Sequence, residues 1–109
     1  MKYHEKVQEI IDKVASGELE PDWYVIQIDD EYDIRINFYP NKQIWYIHNL
    51  KNDKPHGICA GWFANGNMKY IDNRKNGKMH GKSEEWNSAG TKKLERVFDN
   101  GKLIEDVNL

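Results

Sequence analysis

Four histidines and one cysteine are the residues of this chain best suited to chemistry. Cys59 lies close in sequence to His48 and His56, and a thiol beside an imidazole is the composition of a nucleophile with its general base. A metal ion would need clustered ligands, which the separated positions of His4, His48, His56 and His80 do not provide. We therefore predict no metal site, and we interpret Cys59 as a buried, inert thiol on the strand face opposite the aromatic repeat residues described below.

Acidic residues and glycines do not supply a catalytic set either. Glu84 and Glu85 are adjacent, so in a strand they point to opposite faces and cannot act as a carboxylate pair. No glycine-rich phosphate loop follows a strand and opens a helix. The sequence thus predicts no catalytic residues and no cofactor, and it favours binding over catalysis.

The chain contains an internal repeat with a period of 24 residues. The pairs that recur at this spacing are Lys54/Lys78, His56/His80, Gly57/Gly81, Trp62/Trp86, Gly66/Gly90, Lys69/Lys93, Asn76/Asn100 and Gly77/Gly101. A degenerate copy lies one period earlier, with Phe38 at the position of Trp62. Residues 30–53, 54–77 and 78–101 are therefore predicted to be three successive units.

Each unit carries two turn signals that predict a β-hairpin. Asn65-Gly66 separates two seven-residue runs, residues 57–63 and 67–73, and Asn-Gly favours a type I′ turn, in which both central residues have positive φ. Asn76-Gly77 then turns the chain into the next unit, and Asn100-Gly101 does so again. The expected product is a continuous antiparallel meander with two strands per unit.

His56 and His80 occupy equivalent positions of the repeat, and each lies beside a turn. Their recurrence predicts a structural role, either an aromatic stack or a hydrogen bond to the turn.

Alternation along the runs assigns side chains to two faces of this sheet. One face is predicted to carry Ile34, Ile36, Phe38, Ile44, Tyr46, Leu50, Ile58, Ala60, Trp62, Met68 and Tyr70. The opposite face is apolar only in the first two units, where it carries Tyr39, Trp45, Ile47, Phe63 and Ile71. We expect an N-terminal element to cover that second face.

The segment before the repeats predicts this cover. Apolar residues recur at helical spacing over residues 2–15, and Gly17 is a suitable stop after a helix. Residues 22–28 follow as a strand. We therefore predict a mainly β domain of seven or eight strands, in which a capping helix and strand (residues 1–29) precede three hairpin repeats and a C-terminal edge strand (residues 30–109).

Composition and charge indicate the compartment in which the protein is expected to work. Its 109 residues include a single Cys, which favours a reducing compartment, and we find neither a signal-peptide pattern nor an apolar run of about 18 residues. We expect a soluble, cytoplasmic protein without a membrane span. Residues 1–50 hold 5 Lys or Arg and 10 Asp or Glu, a net charge of −5, whereas residues 51–109 hold 11 and 8, a net charge of +3.

The repeated residues resemble the MORN repeat family, in particular the variant units of small bacterial and phage proteins. The likeness covers about residues 30–105 and is carried by His56-Gly57, Trp62, Asn65-Gly66 and Asn76-Gly77-Lys78, with their counterparts one period later. The chain departs from the family's glycine and aromatic pattern at three positions: Asp33, Lys42 and Arg74.

The resemblance implies an elongated hairpin sheet that serves as a protein-binding or dimerising scaffold, and some bacterial relatives are antitoxin components. It transfers no catalytic residue. We accordingly predict a non-catalytic protein-binding module of a bacterium or its phage, in the host cytoplasm if phage-encoded, that inhibits or neutralises another protein. The predicted partner contacts are Trp62, Phe63, Lys69, Tyr70, Trp86 and Lys93.

Two alternatives remain open at this point. The basic C-terminal half could bind nucleic acid, a nucleotide or an anionic lipid, with aromatic side chains as stacking platforms. A second copy of the chain could pair with the edge strand at residues 102–105 or with the aromatic face, which would give a homodimer.

Overall fold

Eight antiparallel strands form one open sheet in which each strand pairs with its neighbours in sequence, and one short helix precedes the sheet. The computed structural model describes residues 1–108. The elements are α1 (Glu5–Ala15), β1 (Trp23–Gln27), β2 (Tyr32–Phe38), β3 (Ile44–Lys51), β4 (Lys54–Trp62), β5 (Met68–Lys75), β6 (Lys78–Trp86), β7 (Lys92–Asp99) and β8 (Lys102–Asn108). The predicted mainly β meander is confirmed. Within the described residues, no helix is long and apolar enough to cross a membrane.

Helix α1 begins at a side-chain cap and ends at a glycine. The His4 Nδ1 accepts a hydrogen bond from the Lys6 backbone N–H at 3.1 Å, and Gly17 follows the helix with a φ of 82°. Val7 and Val14 are fully buried against the sheet. Because an isolated helix of 11 residues is marginal in water, this burial is what stabilises α1.

The turns that join one hairpin to the next are of type I′. Both central residues have positive φ at Asn52-Asp53, Asn76-Gly77 and Asn100-Gly101. The twist of a type I′ turn matches that of the strands it connects, and Asn and Gly tolerate positive φ at the lowest cost.

The turn at Asn65-Gly66 differs from its prediction. Only Gly66 has positive φ, at 91°, and the Phe63 N–H donates to the Asn67 carbonyl at 2.9 Å while the Gly66 N–H donates to the Phe63 carbonyl at 2.9 Å. These bonds define a three-residue loop, in which a residue of left-handed conformation follows a type I turn. The type I′ prediction was wrong because Asn-Gly fills the last two positions of a longer loop.

The side chains of His56 and His80 each accept a hydrogen bond from the type I′ turn that lies 20 residues later in the chain. The Asn76 N–H donates to the His56 Nδ1 at 3.1 Å, and the Asn100 N–H donates to the His80 Nδ1 at 3.0 Å. The predicted hydrogen bond between these histidines and a turn is confirmed.

A β-bulge interrupts the alternation of side chains in three hairpins. In the pairing of β2 with β3, Trp45 lies between Ile44 and Tyr46 and has no cross-strand partner. The registers of β4 with β5 and of β6 with β7 skip Lys69 and Lys93 in the same way. An inserted residue shifts every later residue of that strand to the other face.

The bulges therefore correct the predicted faces of the sheet. Ile47 and Ile71 lie in the core with Ile36, whereas Tyr46 and Tyr70 lie on the opposite face. The residues whose predicted face was wrong are Tyr46, Ile47, Leu50, Tyr70 and Ile71. A strict period of two does not hold across an inserted residue, and the helix consequently covers the face that carries Ile36 and leaves Trp45 exposed.

The core lies between α1 and strands β1–β5. Its buried members are Val7, Val14, Ile26, Ile34, Ile36, Phe38, Ile47, Ala60 and Trp62. Among the described residues, no core residue lies on β6–β8, so the helix leaves that part of the face uncovered.

Beyond the helix, that face carries ion pairs beside a few apolar side chains, among them Val97 and Val107. The Lys82 amino group lies 2.7 Å from a Glu95 carboxylate oxygen and 3.6 Å from a Glu84 oxygen, and Lys92 also pairs with Glu84. Exposed pairs of this kind add little stability, but they keep an uncovered sheet face polar. They also neutralise part of the basic C-terminal half.

Candidate functional site

The face of the sheet opposite α1, which we call the open face, is uncovered in the described part of the chain. Residues adjacent to core residues such as Ile36, Ile47, Ala60 and Ile71 point to this face, because side chains alternate along a strand. Cross-strand pairing arranges them in two rows. The aromatic row is Trp23, Asn37, Tyr46, Gly61, Tyr70, Glu85 and Leu94, and the polar row is Val25, Arg35, His48, Cys59, Asp72, Ser83, Arg96 and Asp106.

Aromatic side chains contact one another in an unbroken series across β3–β5. Tyr39 stacks on Trp45 with ring centroids 5.0 Å apart, Trp45 meets Tyr46 edge-on at 6.2 Å, and Tyr46 lies 4.7 Å from His48. The His48 Nε2 and the Tyr70 hydroxyl share a hydrogen bond of 2.6 Å. The series fixes the orientation of each ring, so this part of the open face is ordered before any partner binds.

Gly61 makes room for the Tyr70 ring. These residues are cross-strand partners, and a Cβ at position 61 would lie 2.3 Å from the Tyr70 Cε1. The ring therefore lies directly on the glycine backbone. A glycine in mid-strand usually marks such a close approach.

Replacing Gly61 by Ala is expected to lower the free energy of unfolding by about 1–3 kcal/mol, because the added methyl group overpacks against a half-buried ring. Chemical denaturation measures this loss. In a Tyr70→Ala background the same substitution should cost far less, and an undiminished cost there would show that the Tyr70 ring is not what position 61 accommodates.

The polar row centres on Asp72, which is largely buried. The Ser83 hydroxyl donates to an Asp72 carboxylate oxygen at 2.7 Å, and the Arg74 guanidinium lies 3.4 Å from the other oxygen. Burial lowers the pKa of His48, the charge of Arg74 lowers it further, and Asp72 acts in the opposite direction. Burial also raises the pKa of Tyr70 to about 12. The His48–Tyr70 pair is therefore neutral at pH 7.

The lowered pKa of His48 makes stability depend on pH. The unfolded chain takes up a proton at His48 near pH 6.5, before the folded chain does. The contribution of His48 is fully present above that pH and is lost as the pH falls through the lower folded pKa. We expect the wild type to lose more stability than a His48→Gln variant between pH 8 and pH 5 in urea titrations; equal losses would contradict the shift.

Cys59 has the environment of an inert thiol. It is buried, burial raises its pKa, and its Sγ lies 3.8 Å from the Asn49 carbonyl oxygen. Its position opposite the Trp62 side of β4 is as predicted. His48 is its cross-strand partner, but the His48 Nε2 is engaged by the Tyr70 hydroxyl. A thiol that keeps its proton is a poor nucleophile. Across residues 1–108, no three His, Cys, Asp or Glu side chains are grouped as a metal ion would require.

The predicted partner contacts divide between the two faces. Tyr70 lies on the open face, and the Lys69 amino group lies 5.6 Å from the centroid of the Phe63 ring beside it. Lys93 is exposed at the equivalent bulge of the next hairpin. Trp62 is only 9% exposed and belongs to the core under α1, so it is unavailable as a surface contact.

Trp86, at the equivalent position one period later, is partly buried, with the Lys92 amino group 5.6 Å from its ring centroid. The residues of the open face that sequence reasoning missed as contacts are Trp23, Trp45, Tyr46, His48 and Glu85. One signal pointed to them: Ile44 with Ile47 and Met68 with Ile71 are spaced by three residues, which is the signature of a bulge in a strand.

Comparison with known proteins gives no match: no family model matches the chain, and no curated protein or solved structure is significantly similar to it.

Proposed function

We propose that this protein is a non-catalytic protein-binding module whose open face receives the partner, and that it acts by inhibiting or neutralising that partner. The observation that carries the proposal is the exposure of large apolar side chains on an ordered surface. Trp23 is 60% exposed and Trp45 is 45% exposed, and Trp45 belongs to the aromatic series described above. Exposed aromatic patches of this kind mark interaction surfaces, and Trp and Tyr dominate their binding energy.

The fold subclass that supports this proposal is an array of three MORN-like hairpin units at residues 30–53, 54–77 and 78–101. Three structural features recur one period apart. The type I′ turn, the bulge and the hydrogen bond from a turn N–H to a histidine Nδ1 all return at equivalent positions. Such arrays present extended surfaces to partners, which fits a binding role on the open face. From the resemblance we propose that the protein is encoded by a bacterium or its phage.

Binding of nucleic acid or anionic lipid has less support. Lys82 and Lys92 pair with glutamates on the helix side of the sheet, and Arg96 pairs with Asp106 at 3.2 Å on the open face. These pairs reduce the positive potential that would attract phosphate groups. The aromatic series lies mainly in the acidic half of the chain.

Affinity capture tests the proposal. The immobilised chain is incubated with a bacterial lysate, in parallel with a Trp45→Ala variant and an Ile104→Ala variant, which truncates an exposed side chain on β8 at the far end of the sheet. We expect one protein to bind the wild type and the Ile104→Ala control, and its affinity for Trp45→Ala to fall by about 30-fold. Equal affinity for all three chains would contradict a partner on the open face.

A further inference from the structure

An open cavity lies on the open face at the junction of the two rows. It has a volume of about 270 Å³ and is lined by His48, Pro55, Cys59, Tyr70, Asp72, Arg74 and Glu85. Pockets that hold a whole small-molecule ligand are typically about 300–1,000 Å³. The cavity is therefore of a size to admit one side chain of a larger partner.

The charges that line the cavity leave one carboxylate without a counterion. Asp72 is paired with Arg74 at 3.4 Å, and Asp106, the other acidic residue of the two rows, is paired with Arg96. Among residues 1–108, no Lys, Arg or His nitrogen lies within 4.0 Å of a Glu85 oxygen, and Glu85 is exposed. The rim of the cavity therefore carries an excess of negative charge.

Beside Glu85, the cavity wall is formed by the rings of Tyr70 and His48. Glu85 is the cross-strand neighbour of Tyr70, whose ring is fixed by Gly61 beneath it and by the hydrogen bond to His48. The lowered pKa of His48 leaves its ring uncharged at pH 7, so it does not compete as a cation for Glu85. A free carboxylate beside a fixed aromatic ring is the environment that a cation occupies most favourably.

We propose that this cavity receives an arginine side chain of the protein partner, with the guanidinium group paired to Glu85 and stacked on Tyr70. The inference rests on the proposed function. Arginine fits better than lysine, because its planar guanidinium both stacks on an aromatic ring and pairs with a carboxylate through two hydrogen bonds. The charge of Arg74 does not oppose this, since Asp72 balances it.

The direct test is an NMR titration of the ¹⁵N-labelled full chain. The probes are acetyl-Gly-Arg-Gly-amide, its lysine analogue, its citrulline analogue, which has the same shape without the charge, and free agmatine. We expect the arginine peptide to shift the backbone amides of Tyr70, Asp72 and Glu85 and to bind at least about tenfold more tightly than the citrulline peptide. The lysine peptide and agmatine should bind more weakly than the arginine peptide.

Two variants with the same change of charge locate the site. Glu85→Gln should lower the affinity for the arginine peptide by about tenfold. Glu105 is an exposed acid whose cross-strand partner is Val97, on the helix side of the sheet. Glu105→Gln should therefore leave this affinity unchanged. Both sites are exposed, so both variants should fold. No localised shifts, equal binding of the citrulline peptide, or equal loss in the two variants would overturn the inference, and agmatine as tight as the arginine peptide would refute a protein partner at this cavity.

Affinity capture separates this inference from the proposed function. If Trp45→Ala weakens binding of the captured partner and Glu85→Gln does not, the open face binds a partner but the arginine site is refuted. If Trp45→Ala and Glu85→Gln both weaken binding of the partner and Glu105→Gln does not, both proposals are supported.

Discussion

Replacing Trp62 by Ala is expected to lower the free energy of unfolding by about 3–5 kcal/mol, whereas the same change at Trp86 should cost only about 1–2 kcal/mol. The two residues occupy the same position of the 24-residue unit. Trp62 lies in the core beneath α1, whereas Trp86 lies beyond the helix and is partly buried, with Lys92 over its ring. Truncation at Trp62 leaves a cavity between sheet and helix, and truncation at Trp86 opens onto solvent.

Urea denaturation followed by circular dichroism measures both losses without relying on tryptophan fluorescence. The variants serve as controls for each other, since the chemical change and the position in the unit are the same. A domain of this size has about 5–15 kcal/mol of stability, so the Trp62 variant should be close to unfolding. Similar losses at the two sites would mean that α1 does not cover Trp62 as described.

Replacing Val14 by Asp is the second change for which we expect a large effect. Val14 is fully buried, with 0% of its surface exposed, so the carboxylate would enter the core with no cation to pair with. The expected cost is several kcal/mol, enough to release α1 or to unfold the chain. Thermal denaturation and the far-ultraviolet circular dichroism signal of the helix report both effects.

Ala15→Asp is the matched control for this variant. It introduces the same residue type one position later, at the same end of the helix, on an exposed site. Its cost should stay below about 1 kcal/mol, since only the unfavourable interaction with the helix dipole remains. Comparable destabilisation by the two substitutions would argue against docking of α1 through Val14.

The fold could be read from the sequence because its turns and repeat carry strong local signals. The Asn-Gly pairs at positions 76–77 and 100–101 need positive φ, and the recurring histidine beside each turn has a hydrogen bond to offer. The helical spacing of Val7 and Val14 likewise indicated an element that must dock. The turns and the helix are set by neighbours in sequence, and the 24-residue repeat indicates the histidine contacts, whose partners are 20 residues apart.

The candidate site could not be read with the same accuracy, because it depends on which face each side chain occupies. One inserted residue, Trp45, moves Tyr46 to the open face and Ile47 to the core. The bulge has no residue type of its own, since Trp45, Lys69 and Lys93 fill it in successive hairpins. The pairing of Glu85 with Tyr70 lies beyond a separate register shift, between Asp72 and Arg74 in the β5–β6 pair, which a period of two cannot supply.

The central claim is that α1 covers one face of β1–β5 and leaves the other free for a partner. Hydroxyl-radical footprinting of the wild-type chain, alone and with its captured partner, tests this claim most directly. We expect Trp23 and Trp45 to be oxidised rapidly in the free chain and protected in the complex, and Trp62 to react slowly in both. Rapid oxidation of Trp62 in the free chain, or protection confined to the outer surface of α1 in the complex, would contradict the account.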